Sequence, residues 1–139
     1  MKKILLFLAV LMWLSQDLSA QRTIALQAVA AHSGGGANNF SAANYNDGVI
    51  SVGTAQPWGW VSSNGWIEYT WTTPQSFQDI VFYDGGRQVT AGQIQYWDAG
   101  TSSYVTVIAN FGPLLNPAPG SADTVSLPTR VTSTKLRFN

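Results

Sequence analysis

The residues between positions 46 and 71 have types and spacing that suit ligand binding. Asn46-Asp47-Gly48 forms a sharp acidic turn, Trp58-Gly59-Trp60 an aromatic loop, and residues 65–71 alternate as a strand does. An Asp-Gly turn offers carboxylate and carbonyl oxygens to a hard cation, and tryptophan faces offer flat apolar surface. Because no nucleophile stands beside a base in this stretch, the pattern favours binding over catalysis.

The titratable residues argue against an enzyme. After the first 20 residues the chain has one histidine, no cysteine and six acidic residues, most of them at predicted turns: Asp47, Glu68, Asp79, Asp84, Asp98 and Asp123. A glycosidase needs two carboxyl groups placed across a cleft, and Cys-His or transition-metal chemistry needs ligands that this chain lacks. We therefore expect a non-catalytic protein.

Residues 1–20 have the pattern of a signal peptide. Lys2 and Lys3 precede an apolar run of eleven residues, and Leu18-Ser19-Ala20 resembles the small-residue cleavage site of a signal peptide, before Gln21. The run is shorter than the roughly 18 to 20 residues that a spanning helix needs, so a retained anchor is the weaker alternative. We expect a secreted or cell-surface protein without membrane insertion, with residues 21–139 as one domain.

The charge and cysteine content of residues 21–139 narrow the partners further. Of seven basic and seven acidic side chains, Lys2, Lys3 and Asp17 lie in the first 20 residues, which leaves five and six. A nearly neutral domain is a poor partner for nucleic acid. Since disulfides are unavailable to this exported domain, a structural cation becomes a reasonable source of stability.

The pattern along the chain predicts strands and almost no helix. Ile24, Leu26, Ala28 and Ala30 are expected on one strand face, and Ile67, Tyr69 and Trp71 on another with Glu68 opposite. Predicted strands are short and rich in β-branched or aromatic residues: 23–30, 66–71, 77–83, 92–97, 104–109, 124–127 and 134–138. Turns are predicted between them, among others at Thr73-Pro74, Asp98-Ala99-Gly100 and Pro128. Such a series indicates an all-β, antiparallel sandwich with long loops at 32–65 and 110–123.

The ordered series of motifs resembles the discoidin domain, also called the coagulation factor 5/8 type C domain. The similarity rests on the segments 44–48, Trp60-Val61-Ser62-Ser63, 65–69, 73–83, 92–98 and 135–138, and it covers nearly all of residues 21–139. Family 32 carbohydrate-binding modules share that fold. The resemblance implies a jelly-roll sandwich that binds carbohydrate, often galactose-type sugars, through loops at one end.

The resemblance also implies a calcium ion and shows one departure. Asp47, with Asn44 and other carbonyls of its turn and an oxygen of Ser51 or Thr54, would match the calcium loop of the family; the alternative is that Asp47 only caps its turn. Family members continue into a closing strand with a glutamate, whereas this sequence stops at Asn139. We therefore expect a sandwich without its final strand, either as a piece of a longer protein or completed by another segment.

The predicted sugar site consists of loop residues. Trp58 is the expected aromatic platform, and Arg87 in a glycine-containing loop is expected to donate paired hydrogen bonds to sugar hydroxyls, or else to pair with Asp84. His32, Asn38 and Asn39 supply further donors and acceptors. Trp60 and the aromatic residues of 66–71 are predicted to be mainly scaffold. The alternative function is a structural or adhesive module that contacts other protein chains.

Overall fold

The described part of the protein forms five antiparallel strands. The computed structural model describes residues 24–33, 42, 46, 65–83, 91–114 and 122–139. The strands are β1 (Val29–His32), β2 (Ile67–Tyr83), β3 (Gly92–Asp98), β4 (Ser103–Phe111) and β5 (Ala122–Phe138), hydrogen-bonded in the order β1-β2-β5-β3-β4. Ala25–Gln27 form a 3-10 turn, and within the described ranges no helix is long and apolar enough to cross a membrane.

The strand register separates the side chains of the sheet into two faces. Tyr69 pairs with Leu136 and Leu136 with Tyr96, which places these residues on one face. This inner face belongs to the hydrophobic core, where Ile94 is fully buried. Side chains alternate along a strand, so Glu68 lies on the outer face, away from Ile67 and Tyr69, as the sequence predicts.

The long strands β2 and β5 form a ribbon that bends back to make a second layer. Phe82 lies fifteen residues beyond Ile67, a distance of roughly 50 Å along a straight strand. The Phe82 ring nevertheless lies 5.1 Å from the ring of Phe138, the register partner of Ile67. The far half of the ribbon therefore packs over the near half, and the predicted antiparallel sandwich is confirmed.

Two of the predicted turns are wrong because they are bends inside strands. The predicted strands 66–71 and 77–83 are one continuous strand through Pro74, and 124–127 and 134–138 are one strand through Pro128. Register shifts between Thr70 and Gln75 and between Phe77 and Asp79 take up the irregularity. Proline interrupts the ladder without ending the strand at such a bulge, and the bend carries the ribbon from one layer to the other.

The predicted strand 23–30 is also wrong over its first half. Residues 24–28 form a turn, with Gln27 N–H donating to the Ile24 carbonyl at 3.2 Å and Ala28 N–H to Ala25 at 3.1 Å. The Trp71 indole donates to the same Ile24 carbonyl at 2.7 Å. Ile24 and Ala28 pack on the core, whereas Leu26 is 48% exposed. The alternation of apolar residues therefore belongs to a turn that packs on the core, and not to a strand.

The predicted turn at Asp98-Ala99-Gly100 is confirmed as the β3–β4 connection. Asp98 Oδ1 accepts from the Gly100 N–H at 2.9 Å, and Oδ2 accepts from the Thr101 hydroxyl at 3.0 Å. An aspartate that bonds backbone two residues on stabilises a turn locally. The carboxylate of Asp98 is thus committed to the hairpin.

Candidate functional site

The longest loop leaves and re-enters the sheet at one point. Ser33, the last described residue before the loop, donates its N–H to the Trp66 carbonyl at 3.0 Å. The Trp66 N–H in turn donates to Ser33 Oγ at 2.9 Å. This reciprocal pair closes residues 34–65 into an insertion anchored at the start of β2.

Two further loops attach at the same end of the sheet. Gln93 exchanges backbone hydrogen bonds of 2.7 and 3.0 Å with Asn139, the residue after the register partner of Ile67. Gly92, which ends the loop 84–91, pairs with Phe111, which precedes the loop 112–121. The points at which the segments 34–65, 84–91 and 112–121 attach to the sheet, marked by Ser33, Trp66, Gly92 and Phe111, therefore lie at one end of the sandwich, here called the loop end.

Gly92 is required at this end by a close approach of other groups. A Cβ atom at this position would lie 2.6 Å from the Phe111 ring and 2.9 Å from the Asn139 carbonyl oxygen. Real Cβ atoms do not tolerate such distances, so a larger residue would displace the start of β3. The glycine keeps the edge of the loop end compact.

The structure corrects the placement of one predicted sugar-binding residue. His32 is the last residue of β1 and pairs with Ile67, whereas the sequence predicted it in a loop. The other predicted ligand residues, Trp58, Arg87, Asn38 and Asn39, lie outside the described residues. So do the predicted calcium ligands Asp47, Asn44, Ser51 and Thr54.

Asn46 is the described member of the acidic turn. Its side-chain amide donates to the carbonyl of Ala25 at 2.9 Å and to that of Ala28 at 2.7 Å. These bonds join the turn to the 3-10 segment that precedes β1.

An open cleft of about 410 Å³ lies at the loop end. Its wall combines apolar groups such as Phe111 and Leu114 with the polar residues Asn110, Asp123 and Ser126. This volume falls in the usual range of ligand pockets. The cleft is large enough for a single sugar ring.

A second candidate surface covers the outer face of the sheet. It consists of Trp66, Glu68, Trp97, Tyr104, Lys135 and Arg137, and is called the charged face below. Glu68 lies at its centre, only 8% exposed, and accepts hydrogen bonds at Oε2 from Arg137 Nε at 3.0 Å and Nη2 at 2.7 Å. The Tyr104 hydroxyl donates to the same oxygen, and Lys135 Nζ lies 3.7 Å from Oε1.

The contacts of Glu68 determine its charge state. Burial alone would raise the pKa of Glu68, but the hydrogen bonds from Tyr104 and Arg137 and the charges of Arg137 and Lys135 outweigh it and hold the pKa below 4.5. Burial, together with the hydrogen bond to Glu68 and its negative charge, raises the pKa of Tyr104 to about 12, against an opposing effect of Arg137. Glu68 is therefore an ionised acceptor and Tyr104 a neutral donor at neutral pH.

Aromatic rings connect the charged groups across four strands. The Arg137 guanidinium carbon lies 3.7 Å from the centre of the Tyr104 ring and 4.8 Å from that of Trp66. Tyr104 meets Trp97 edge to face at 5.2 Å, and Lys135 Nζ lies 5.3 Å from the Trp97 ring centre. Cations over aromatic faces are favourable, more so when partly desolvated.

Sequence reasoning missed the charged face. The sequence places Glu68 on the outer side of its strand without a catalytic partner, and Lys135 and Arg137 in the motif 135–138, but it does not connect the three. The signal was present in the alternation, because Lys135 and Arg137 flank the apolar Leu136 as Glu68 is flanked by Ile67 and Tyr69. Pairing those strands in register, Glu68 with Arg137, would have brought the charges together.

Comparison with solved structures defines the class of fold. The chain is similar to chitosan-binding module 2 of a Paenibacillus sp. IK-5 chitosanase/glucanase, solved with chitotriose (TM-score 0.60, 19% identity, 82% of this chain and 83% of that chain). It is also similar to the family 32 carbohydrate-binding modules of Streptococcus pneumoniae EndoD (0.59, 14%, 81% and 84%) and of C. perfringens NanJ, solved with galactose (0.59, 10%, 84% and 83%). The fold is the galactose-binding-like sandwich of these modules, as the resemblance to discoidin domains implies.

The sequence assigns the chain to a family. The family described as "Domain of unknown function (DUF7402)" matches residues 23–139, and the protein belongs to it. None of the curated proteins matches the sequence.

Proposed function

We propose that this protein is a non-catalytic carbohydrate-binding module that recognises sugar at the loop end. The observation that carries the proposal is that the attachment points of three segments lie together at one end of a sandwich, beside an open cleft of about 410 Å³ lined by residues from 108–114 and 123–126. Two modules with the same fold were solved with saccharides, one with chitotriose and one with galactose. Loops on a rigid sheet are a common location for binding residues.

The proposed ligand residues come from two of these loops and from the end of β1. Trp58 supplies an aromatic face for the apolar side of a sugar ring, and Arg87 donates paired hydrogen bonds to adjacent hydroxyls. His32, Asn38 and Asn39 complete the set of donors and acceptors. We propose a galactose-type sugar as the ligand, and export of the protein through residues 1–20.

Calcium is a second part of the proposal. The donors at Asp47, Asn44, Ser51 and Thr54 are all oxygens, which suits this ion, and the neighbouring Asn46 binds two carbonyls of the 3-10 segment before β1. The ion would stabilise the loop without contributing to chemistry. If it binds, the melting temperature falls when a chelator is added and recovers with calcium, whereas an unchanged melting temperature would exclude the ion from the site.

The arrangement of acidic groups supports a protein that does no chemistry. Glu68 is occupied by Arg137, Tyr104 and Lys135, and Asp98 by its turn. Neither Glu68 nor Asp98 is thus available as a general acid or base.

A glycan array with the mature chain tests the function. We expect binding to galactose-type glycans that is lost in Trp58→Ala, while Trp58→Phe, which keeps an aromatic face, retains part of it. Circular dichroism and thermal melting of both variants control for folding. A blank array combined with concentration-dependent oligomers in light scattering would overturn the proposal in favour of an assembly or adhesive module.

A further inference from the structure

We infer that the charged face is a second binding surface, for a saccharide chain that carries carboxylate groups. The inference rests on the proposed function and adds a site and a ligand class to it. It is carried by three features of the described residues: a row of aromatic rings, an excess of positive charge, and amide groups at the edge of the row.

The aromatic groups form a continuous track. Trp66 lies at the loop end, and contacts through Arg137 and Tyr104 lead to Trp97 on β3. All three rings are half-buried, so they lie close to the sheet instead of projecting from it. Flat apolar surface of this kind suits the C–H faces of successive sugar rings, whereas insertion into a lipid layer requires protruding apolar side chains.

The charged groups are unequal in number. Arg137 and Lys135 face a single carboxylate, Glu68, which leaves one positive charge in excess on the charged face. Arg137 donates to Glu68 from Nε and Nη2. These bonds use only part of the five N–H donors of an arginine side chain. Lys135 contributes only a 3.7 Å ion pair and keeps its side chain 35% exposed. These cations complement a ligand carboxylate at the surface.

Amide side chains continue the surface beside Arg137. Gln95, the β3 register partner of Arg137, donates from Nε2 to Thr106 Oγ1 at 3.1 Å. Its Oε1 accepts from the Asn139 amide at 2.9 Å. Planar amides fixed by each other present donors and acceptors in set directions, which is how protein sites distinguish sugar hydroxyls.

A purely structural role explains Glu68 and Arg137 but not Lys135. A buried carboxylate that already accepts three hydrogen bonds at one oxygen gains little from a second cation at 3.7 Å. Exposed cations are usually solvated, yet Lys135 lies over Trp97 at one end of the aromatic track. Its placement is accounted for by a ligand that carries negative charge.

The test is calorimetric titration of the full chain with a hyaluronan oligosaccharide and with the methyl ester of the same oligosaccharide. The two probes have the same shape and differ in charge. We expect the acid to bind and the ester to bind at least about fivefold more weakly, with an affinity for the acid that falls as salt rises. Equal affinities for acid and ester, or no binding of the acid, would overturn the inference.

Two substitutions on the same strand locate the site. Lys135→Gln removes one positive charge from the charged face, and Arg130→Gln removes one from the exposed bend of β5. We expect about fivefold weaker binding of the acid in Lys135→Gln, and less than about twofold change in Arg130→Gln. Lys135→Glu should abolish binding, because a like charge would then face the ligand. Equal losses of affinity in Lys135→Gln and Arg130→Gln would mean that net charge alone causes the effect, and would reject the site.

Trp58→Ala separates this inference from the proposed function. If both hold, Trp58→Ala loses the galactose-type glycan and keeps the acidic oligosaccharide, while Lys135→Gln does the reverse. Loss of both ligands in Trp58→Ala would leave the loop end as the single site and overturn the second surface. Binding of the acidic oligosaccharide alone would support the charged face and overturn the galactose-type specificity proposed for the loop end.

Discussion

The two faces of the same sheet are densely packed by different forces. On the inner face Ile94 and Leu136 are 0% and 4% exposed and contact other apolar groups. On the outer face Glu68 is 8% exposed, but its contacts are hydrogen bonds and ion pairs. Apolar contact is non-directional, whereas a buried carboxylate stabilises the fold only while its donors stay in place. Residues on opposite faces of the sheet are therefore stabilised by different kinds of contact.

The largest expected effect comes from the inner face. Ile94→Ala should lower the free energy of unfolding by about 3 kcal/mol, because it removes fully buried methyl groups and leaves a cavity. The neighbouring substitution Gln93→Ala, at an exposed position, should change it by less than about 0.5 kcal/mol. Urea unfolding measures both. Similar losses in the two variants would contradict the division of the sheet into a core face and a surface face.

The next effect tests the centre of the outer face. Glu68→Gln keeps the shape of the side chain and removes its charge, and should cost about 2 kcal/mol at neutral pH because charged hydrogen bonds are lost. Since the folded pKa of Glu68 lies below 4.5, this stabilisation is present above that pH and disappears as the pH falls through the folded pKa.

A matched carboxylate controls for this effect. Asp79 lies on the same strand, is exposed, and accepts a hydrogen bond from Ser126 at 2.6 Å. Asp79→Asn should cost less than about 1 kcal/mol. If the difference between wild type and Glu68→Gln stayed constant from neutral to acid pH, ionisation of Glu68 would not be the source of its contribution.

The same contrast explains how far the sequence predicts this protein. Period-two alternation correctly separates Ile67 and Tyr69 from Glu68, since local geometry determines the face of each residue. It does not show that a strand continues through Pro74 or Pro128, because the continuation depends on a partner strand with a matching irregularity. The charged face depends on the register of β2 with β5, which brings together Glu68 and Arg137 from positions 69 residues apart in the chain.

A smaller effect is expected at Tyr104, which joins the edge strand β4 to Glu68. Tyr104→Phe should cost about 1 kcal/mol, the net value of a hydrogen bond, without disturbing the inner face. The folded pKa of about 12 exceeds the unfolded value of 10.0, so the contribution is complete below pH 10 and is lost as the pH rises through 12. Ultraviolet titration should show one tyrosine fewer ionising near pH 12 in the variant. Loss of a tyrosine that ionises near pH 10 instead would mean that Tyr104 ionises as an exposed tyrosine does.

The smallest effect on stability is expected at Lys135, and it is the most informative about function. Its ion pair is 3.7 Å long and its side chain is 35% exposed, so Lys135→Gln should lower the free energy of unfolding by no more than about 0.5 kcal/mol. If urea unfolding instead gave a loss as large as that of Glu68→Gln, both cations would be needed to balance the buried carboxylate, and the charged face would be scaffold. A small loss of stability together with weaker binding of the acidic oligosaccharide would mean that the outer face holds one cation more than its fold requires, which is the property that distinguishes a binding surface from the packed face beneath it.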